Sequence, residues 1–196
     1  MNDFILSSLK KLKQNNIKNP EIDLRILLNH SKYSKNEIIL SNFDLKQVDI
    51  TKFNILLNRR LSNEPISKII NKKNFWKDEF FVNKNVLDPR PESETIIEES
   101  LKTIKDKKSN HKILDIGTGS GALAISLARE FINSKIVAID ISKYAIEVAN
   151  KNIIKKKLQK QITLRHQSFD LVNKKFDLIV SNPPYLSEEE LENVSN

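Results

Sequence analysis

Apolar positions follow two different rhythms along the 196 residues. In the first third they recur every three or four residues, the helical spacing. Phe4, Leu6, Leu9 and Leu12 form one stripe, with Asp3 placed to cap it. Asn19-Pro20 reads as a helix start, a cap followed by proline at the first helical position, ahead of Ile22, Leu24, Leu27 and Leu28. Ser34-x-x-Glu37 reads as a capping box before Ile38-Ile39-Leu40, and Phe53, Leu56, Leu57 and Leu61 form a further stripe. Residues 1–62 are thus expected to form a small helical bundle whose stripes are core.

Beyond this bundle the rhythm changes. In SKIINKKNFWKDEFFVNKNVL, short β-prone runs alternate with Asn and Lys, which predicts a hairpin within residues 63–90 packed by Phe75, Trp76, Phe80 and Phe81. DPRPESE, Asp88 to Glu94, predicts a stiff turn feeding a helix through Ile96, Ile97 and Leu101. From His111 onward strands and helices alternate. HKILDI is a strand, Ala122 to Phe131 a helix, KIVAID a strand and Ser142 the cap of a helix. QITLRH and FDLIVS complete four strands. That alternation predicts a parallel sheet with helices on both faces, in a third region spanning 91–196. The run Lys155-Lys156-Lys157 reads as a solvated helix end.

Charge and composition narrow the setting. The net charge is +8, and residues 1–75 carry 14 Lys and Arg against 7 Asp and Glu. The basic first part could meet an acidic protein surface or nucleic acid, or reflect a lysine-rich composition. There is no cysteine, which excludes disulfides and thiolate metal sites, and the three histidines have no ligand spacing, so no metal is expected. The opening MNDFILSSLKKLKQ is neither signal peptide nor membrane span, so a cytoplasmic protein is expected.

Two motifs carry chemistry. All three glycines of the chain, Gly117, Gly119 and Gly121, fall in DIGTGSGALA between a strand and a helix, a cradle for a nucleotide-like ligand. The spacing is neither that of a dinucleotide fingerprint nor that of a phosphate loop. Asp140, 23 residues after Gly117, ends the next strand where a carboxylate can accept from ribose hydroxyls. The second motif is Asn182-Pro183-Pro184-Tyr185 after the last strand. Two prolines donate no hydrogen bonds and fix the backbone, leaving the Asn182 side-chain oxygen and the Pro183 carbonyl as rigid acceptors. Such a pair suits a planar NH₂ group and would act by orientation.

In this order, DIGTGSGALA, Asp140 and NPPY resemble class I S-adenosylmethionine-dependent methyltransferases acting on planar nitrogens. With a helical amino-terminal domain, a hairpin containing NFW, the EPISKII segment and PRPESE, the chain resembles the peptide chain release factor glutamine methyltransferases along nearly its whole length. The resemblance implies a Rossmann-like α/β sheet, cut short at the carboxyl end, preceded by the helical bundle and the hairpin linker. It implies S-adenosyl-L-methionine as cofactor, with Gly117, Thr118, Gly119, Ser120 and Gly121 around its methionine part. Asp140 would hold its ribose, Phe169 would lie against its adenine, and Asn182 would reach both cofactor and substrate. Asn182 and Pro183 would hold the substrate amide, with Pro184 and Tyr185 shaping its slot. The implied reaction is N5-methylation of the glutamine in the Gly-Gly-Gln loop of class 1 peptide chain release factors, docked by the first domain. A monomer is expected. Asn71 and Lys77 stand where such enzymes commonly have glycines. The chain stops 11 residues after Tyr185, so a longer parent protein is expected. The alternatives are an adenine-N6 nucleic acid methyltransferase, since NPPY serves that chemistry too, and a truncated fragment that binds without turnover.

Overall fold

The computed structural model describes residues 3–34, 38 and 43–183. The chain divides into two units, Met1–Asn71 and Lys72–Asn196. The first contains helices α1 (Asp3–Gln14), α2 (Pro20–Ser31), α3 (Ile50–Leu61) and α4 (Ile66–Ile70). Its core joins Ile5, Leu12, Leu24, Leu27, Leu28, Phe53 and Leu57, with Ile69 of α4. The first stripe is rotated from its expected position: Ile5, Ser8 and Leu12 are buried, and Leu6 faces outward. Asn19 precedes α2, but its side chain makes no capping bond, and the proline at the start sets the helix there instead. Asp49 caps α3 through the Lys52 amide. Glu37, and with it the proposed capping box, lies outside the described residues.

The segment expected as hairpin linker is divided between the units. SKII forms α4, which ends on Asn71 at φ 56°. Asparagine is among the few residues that tolerate this left-handed conformation, so it serves where the resemblance places a glycine. The hairpin pairs β1 (Lys72–Phe75) with β2 (Asp78–Phe81), antiparallel. Its turn puts positive φ on Trp76 (52°), an unfavourable place for a bulky side chain. Two carboxylates hold it there. Trp76 donates its backbone N–H to Glu94 (2.6 Å) and its indole N–H to Glu130 (2.8 Å).

The hairpin packs onto the second unit. Asp78 accepts from Arg129 (2.6 Å) and from Lys156 (2.7 Å). Burial works to raise the Asp78 pKa, but these two cations overcome it and hold the carboxyl below its usual value. Lys156 is therefore no part of a solvated helix end. Its side chain is 8% exposed and lies 4.9 Å from the centre of the Phe80 ring. Asn152, fully buried, joins three segments. Its oxygen accepts from the Phe81 amide, and its NH₂ donates to the carbonyls of Phe81 and Ser120.

Helix α5 (Glu94–Thr103) leads into a four-stranded parallel sheet of order β5-β4-β3-β6. Its members are β3 (Lys112–Ile116), β4 (Lys135–Asp140), β5 (Ile162–His166) and β6 (Leu178–Ser181). Helices α6 (Ala122–Glu130) and α7 (Lys143–Lys155) make the two crossovers from β3 to β4 and from β4 to β5. Both crossovers step the same way across the sheet, so right-handed connections put both helices on one face. The residues that alternate onto that face, Ile113, Ile136, Ala138, Ile162 and Val180, form one core with α6 and with Ile153 of α7. Helices on both faces were expected. Among the described residues these two share one face, and Ile179 on the other is 57% exposed. No helix among the described residues is long and apolar enough to cross a membrane.

Candidate active site

After β5 the chain returns across the sheet to place β6 on the far side of β3. The strand order therefore reverses beside β3, and in open parallel sheets the crevice beyond the strand ends at such a point holds ligands. The glycine turn leaves the end of β3 here, and Asn182-Pro183 leaves the end of β6.

Gly117, Gly119 and Gly121 all adopt positive φ, 71°, 55° and 79°. Gly121 is needed twice over, because a Cβ there would sit 3.3 Å from the Ala149 Cβ of α7. A Cβ on Gly117 would meet nothing within 4 Å, so the backbone faces open space. The turn is pinned to β4: the amides of Gly117 and Thr118 both donate to the Ile139 carbonyl at 2.9 Å.

Asp140 does part of this pinning. Its Oδ2 accepts from the Gly119 amide and its Oδ1 from the Ser142 amide, each at 2.9 Å. A carboxylate has about four acceptor positions, so each oxygen keeps one for a ligand hydroxyl. Asp115, one turn before the glycines, is buried and accepts from the Thr118 hydroxyl at 2.6 Å. Burial pushes its carboxyl up to about 6; the Thr118 hydroxyl and the Ala124 amide act against this, and the Asp140 charge adds to it.

One cavity of about 410 Å³ gathers most of the residues singled out from the sequence. Gly117, Gly119, Asp140 and Phe169 line one part of it, and Asn182 and Pro183 another. Phe169, on the 3-10 turn Phe169–Leu171, is 60% exposed. Thr118 and Ser120 are buried and line a smaller adjoining pocket of about 60 Å³, which also touches Gly117, Gly119 and Asn182. Gly121 packs on α7 and lines neither. Pro184 and Tyr185 lie outside the described residues. Among the described residues no cluster of His, Cys, Asp or Glu could hold a metal.

The sequence reading missed several walls. Ile141, 77% exposed, lines the cavity immediately after Asp140, and Val86 and Leu87 close it from the segment after the hairpin. An isoleucine left outside the sheet directly after a ligand carboxylate was the available signal. Val86 and Leu87 had none, because only the folded hairpin brings them here. The largest omission is Ser93, whose hydroxyl accepts from the Asn182 side-chain N–H at 2.8 Å.

The lining of the cavity suits S-adenosylmethionine in its chemistry. Carboxylate acceptors stand ready for ribose hydroxyls. Phe169 and Ile141 offer apolar faces that could flank a flat base, and the backbone at Gly117 has open space that could take the amino-acid part.

Residues 95–195, over half the chain, match the family described as methyltransferase small domain. The release factor glutamine methyltransferase of Buchnera aphidicola subsp. Baizongia pistaciae (strain Bp) is 41% identical over 190 residues, which cover 96% of this chain and 68% of that protein. The chain belongs to the release factor glutamine methyltransferase family. The member of that name from Caulobacter vibrioides (strain ATCC 19089 / CIP 103742 / CB 15) is 38% identical across 91% of this chain and 63% of its own length. A bifunctional methyltransferase of Rickettsia typhi (strain ATCC VR-144 / Wilmington) is 41% identical, with 92% of this chain covering 39% of it. The chain thus spans about two thirds of the family's release factor enzymes and about two fifths of the bifunctional ones.

Proposed function

We propose that this chain methylates the side-chain nitrogen of the glutamine in the Gly-Gly-Gln loop of class 1 release factors, using S-adenosyl-L-methionine. The observation that carries this reading is the single cavity lined by Gly117, Gly119 and Asp140 together with Asn182 and Pro183. The names of the relatives favour glutamine over the adenine alternative. When bound, S-adenosylmethionine supplies a methyl group activated on a sulfonium.

The protein's part is orientation. An amide nitrogen is a poor nucleophile because its lone pair is shared with the carbonyl. Asn182 Oδ1 and the Pro183 carbonyl accept the two amide hydrogens of the substrate and fix the plane of its nitrogen. As a methyl group bonds to that nitrogen, positive charge grows there, and the two fixed dipoles stabilise it. A proton then leaves the nitrogen for solvent water to restore the amide, and the electron pair of the broken sulfur–methyl bond would stay on sulfur as a neutral thioether. Asp140 and the glycine turn set where the cofactor's ribose and amino-acid parts lie, Phe169 and Ile141 flank its base, and Thr118 and Ser120 shape the turn from behind. The helical unit docks the factor, which is a cytoplasmic partner, and the chain acts as a monomer.

The test incubates the chain and isotopically labelled cofactor with a release factor, a Gly-Gly-Gln peptide and duplex DNA in parallel. Label on the factor, located at the glutamine by mass spectrometry, is the expected result. Label on DNA alone would replace this reading with the adenine one, and cofactor binding without transfer would leave a binding fragment.

A further inference from the structure

We infer that Ser93 is a positioning residue for methyl transfer, holding the Asn182 amide so that its oxygen faces the substrate. This inference rests on the glutamine reading above.

Ser93 joins the 3-10 turn Pro91–Ser93 to α5 with helical backbone angles, φ −73° and ψ −11°, so its side chain is not placed to cap the helix. It makes no capping bond. Its hydroxyl oxygen instead accepts from Nδ2 of Asn182, 89 residues away in sequence. Both partners are held. Ser93 is buried, closes the 3-10 turn Pro91–Ser93 and donates its amide to the Arg90 carbonyl. The next residue, Glu94, is tied to Trp76. On the other side Pro183 restricts the Asn182 backbone, and the Ser181 hydroxyl donates to the Ile116 carbonyl.

The consequence follows from the amide's two ends. A terminal amide turned by half a revolution exchanges oxygen for NH₂ at almost no change in shape. For a substrate that presents only N–H groups, one orientation offers an acceptor and the other a clashing donor. With Nδ2 on Ser93, as in this structure, Oδ1 is left for the cavity that Asn182 lines; the hydroxyl holds the amide in place, and the N–H groups of the substrate favour this turn of it over the reverse. The PRPESE segment therefore contributes to the chemistry of NPPY through one hydroxyl.

Ser93→Ala removes the acceptor, and Ser93→Thr keeps it. Turnover on a Gly-Gly-Gln peptide is measured for this chain and both variants, with cofactor affinity by calorimetry. We expect kcat to fall about tenfold in Ser93→Ala, the weight of one modest hydrogen bond, with cofactor affinity unchanged and most of kcat restored in Ser93→Thr. A second readout needs no activity: the side-chain amide signals of Asn182 in a ¹⁵N spectrum, assigned by their loss in Asn182→Ala. They should shift in Ser93→Ala and stay in place in Ser93→Thr. Unmoved signals in Ser93→Ala would overturn the inference even if the chain methylated no peptide. So would an unchanged kcat, or a Ser93→Thr variant as slow as Ser93→Ala. Absence of peptide methylation by the unaltered chain, with the signals shifted as expected, would instead count against the glutamine reading alone.

Discussion

At the scale of single residues, the carboxylates near the glycine turn do different work because their surroundings differ. Asp140 accepts two backbone amides and keeps acceptor capacity for a ligand. Replacing it with Asn turns one oxygen into an NH₂ that faces an amide donor, so Asn should be a poor substitute. We expect Asp140→Asn to weaken cofactor binding by about 1–3 kcal/mol, which calorimetry would show; unchanged affinity would remove Asp140 from the site. Asp115 is the opposite case. Its folded pKa, about 6, lies above the ordinary 3.8, so the folded state binds its proton more tightly. Its contribution therefore favours folding below about pH 4 and is lost as pH rises to about 6. The full difference is about 3 kcal/mol for a two-unit shift. Asp115→Asn keeps an acceptor for Thr118 and should flatten that decline in denaturant titrations between pH 4 and 6; parallel profiles would count against it. Asn182→Ala should cost about 10²–10³ in turnover while leaving cofactor affinity nearly intact, the pattern of an interaction made mainly in the transition state. Near-normal turnover would return NPPY to the role of a turn.

At the scale of elements, the sequence showed most clearly what depends on periodicity and special residues. The four parallel strands, α6 and α7 were readable because apolar runs of strand length alternate with helical stripes, and Ser142 does cap α7 through the Ala145 amide. The glycine turn was readable because three alternate positions take positive φ, which glycine adopts without the strain of a side chain. What stayed hidden depends on partners distant in sequence. KII of SKIINKK is β-branched enough to read as strand, yet Ile69 completes a helical core and makes α4. Lys156 looked solvated in a lysine run, but Asp78, itself in a hairpin, draws it in. Ser93 and Asn152 are ordinary polar residues in the sequence, and only their bonds to Asn182, Phe81 and Ser120 give them roles. These bonds make the hairpin part of the site's support. Asp78→Ala would leave Lys156 as a buried cation without its carboxylate, and we expect a loss of about 3 kcal/mol in unfolding free energy. Adding Lys156→Met should recover much of that loss, because it removes the stranded charge while keeping its contact with Phe80. Denaturant midpoints for the two variants check this; no recovery would mean that the hairpin is held chiefly by its aromatic packing.

At the scale of the whole molecule, the two units divide the problem. Every described residue lining the candidate cavity falls between Asn85 and Pro183, inside the second unit. The first unit has its own core of Ile5, Leu12, Leu24, Leu27, Leu28 and Phe53, and its residues 1–71 carry 12 Lys and Arg against 7 Asp and Glu, five of the eight net positive charges. If those residues recognise the release factor, binding there raises the effective concentration of the glutamine loop at the cavity. An advantage of that kind is typically about 10²–10⁴ in overall avidity. It should vanish when docking is removed, and it should never have existed for a substrate too short to dock. The comparison is therefore between the chain and a version lacking residues 1–71, each assayed on an intact release factor and on a short Gly-Gly-Gln peptide. We expect kcat/KM on the factor to fall about 10²–10⁴ fold, while the value on the peptide and the affinity for cofactor stay close to those of the chain. Parallel losses on both substrates would show that the helical unit supports the catalytic unit itself. Undiminished activity on the intact factor would take docking away from it altogether.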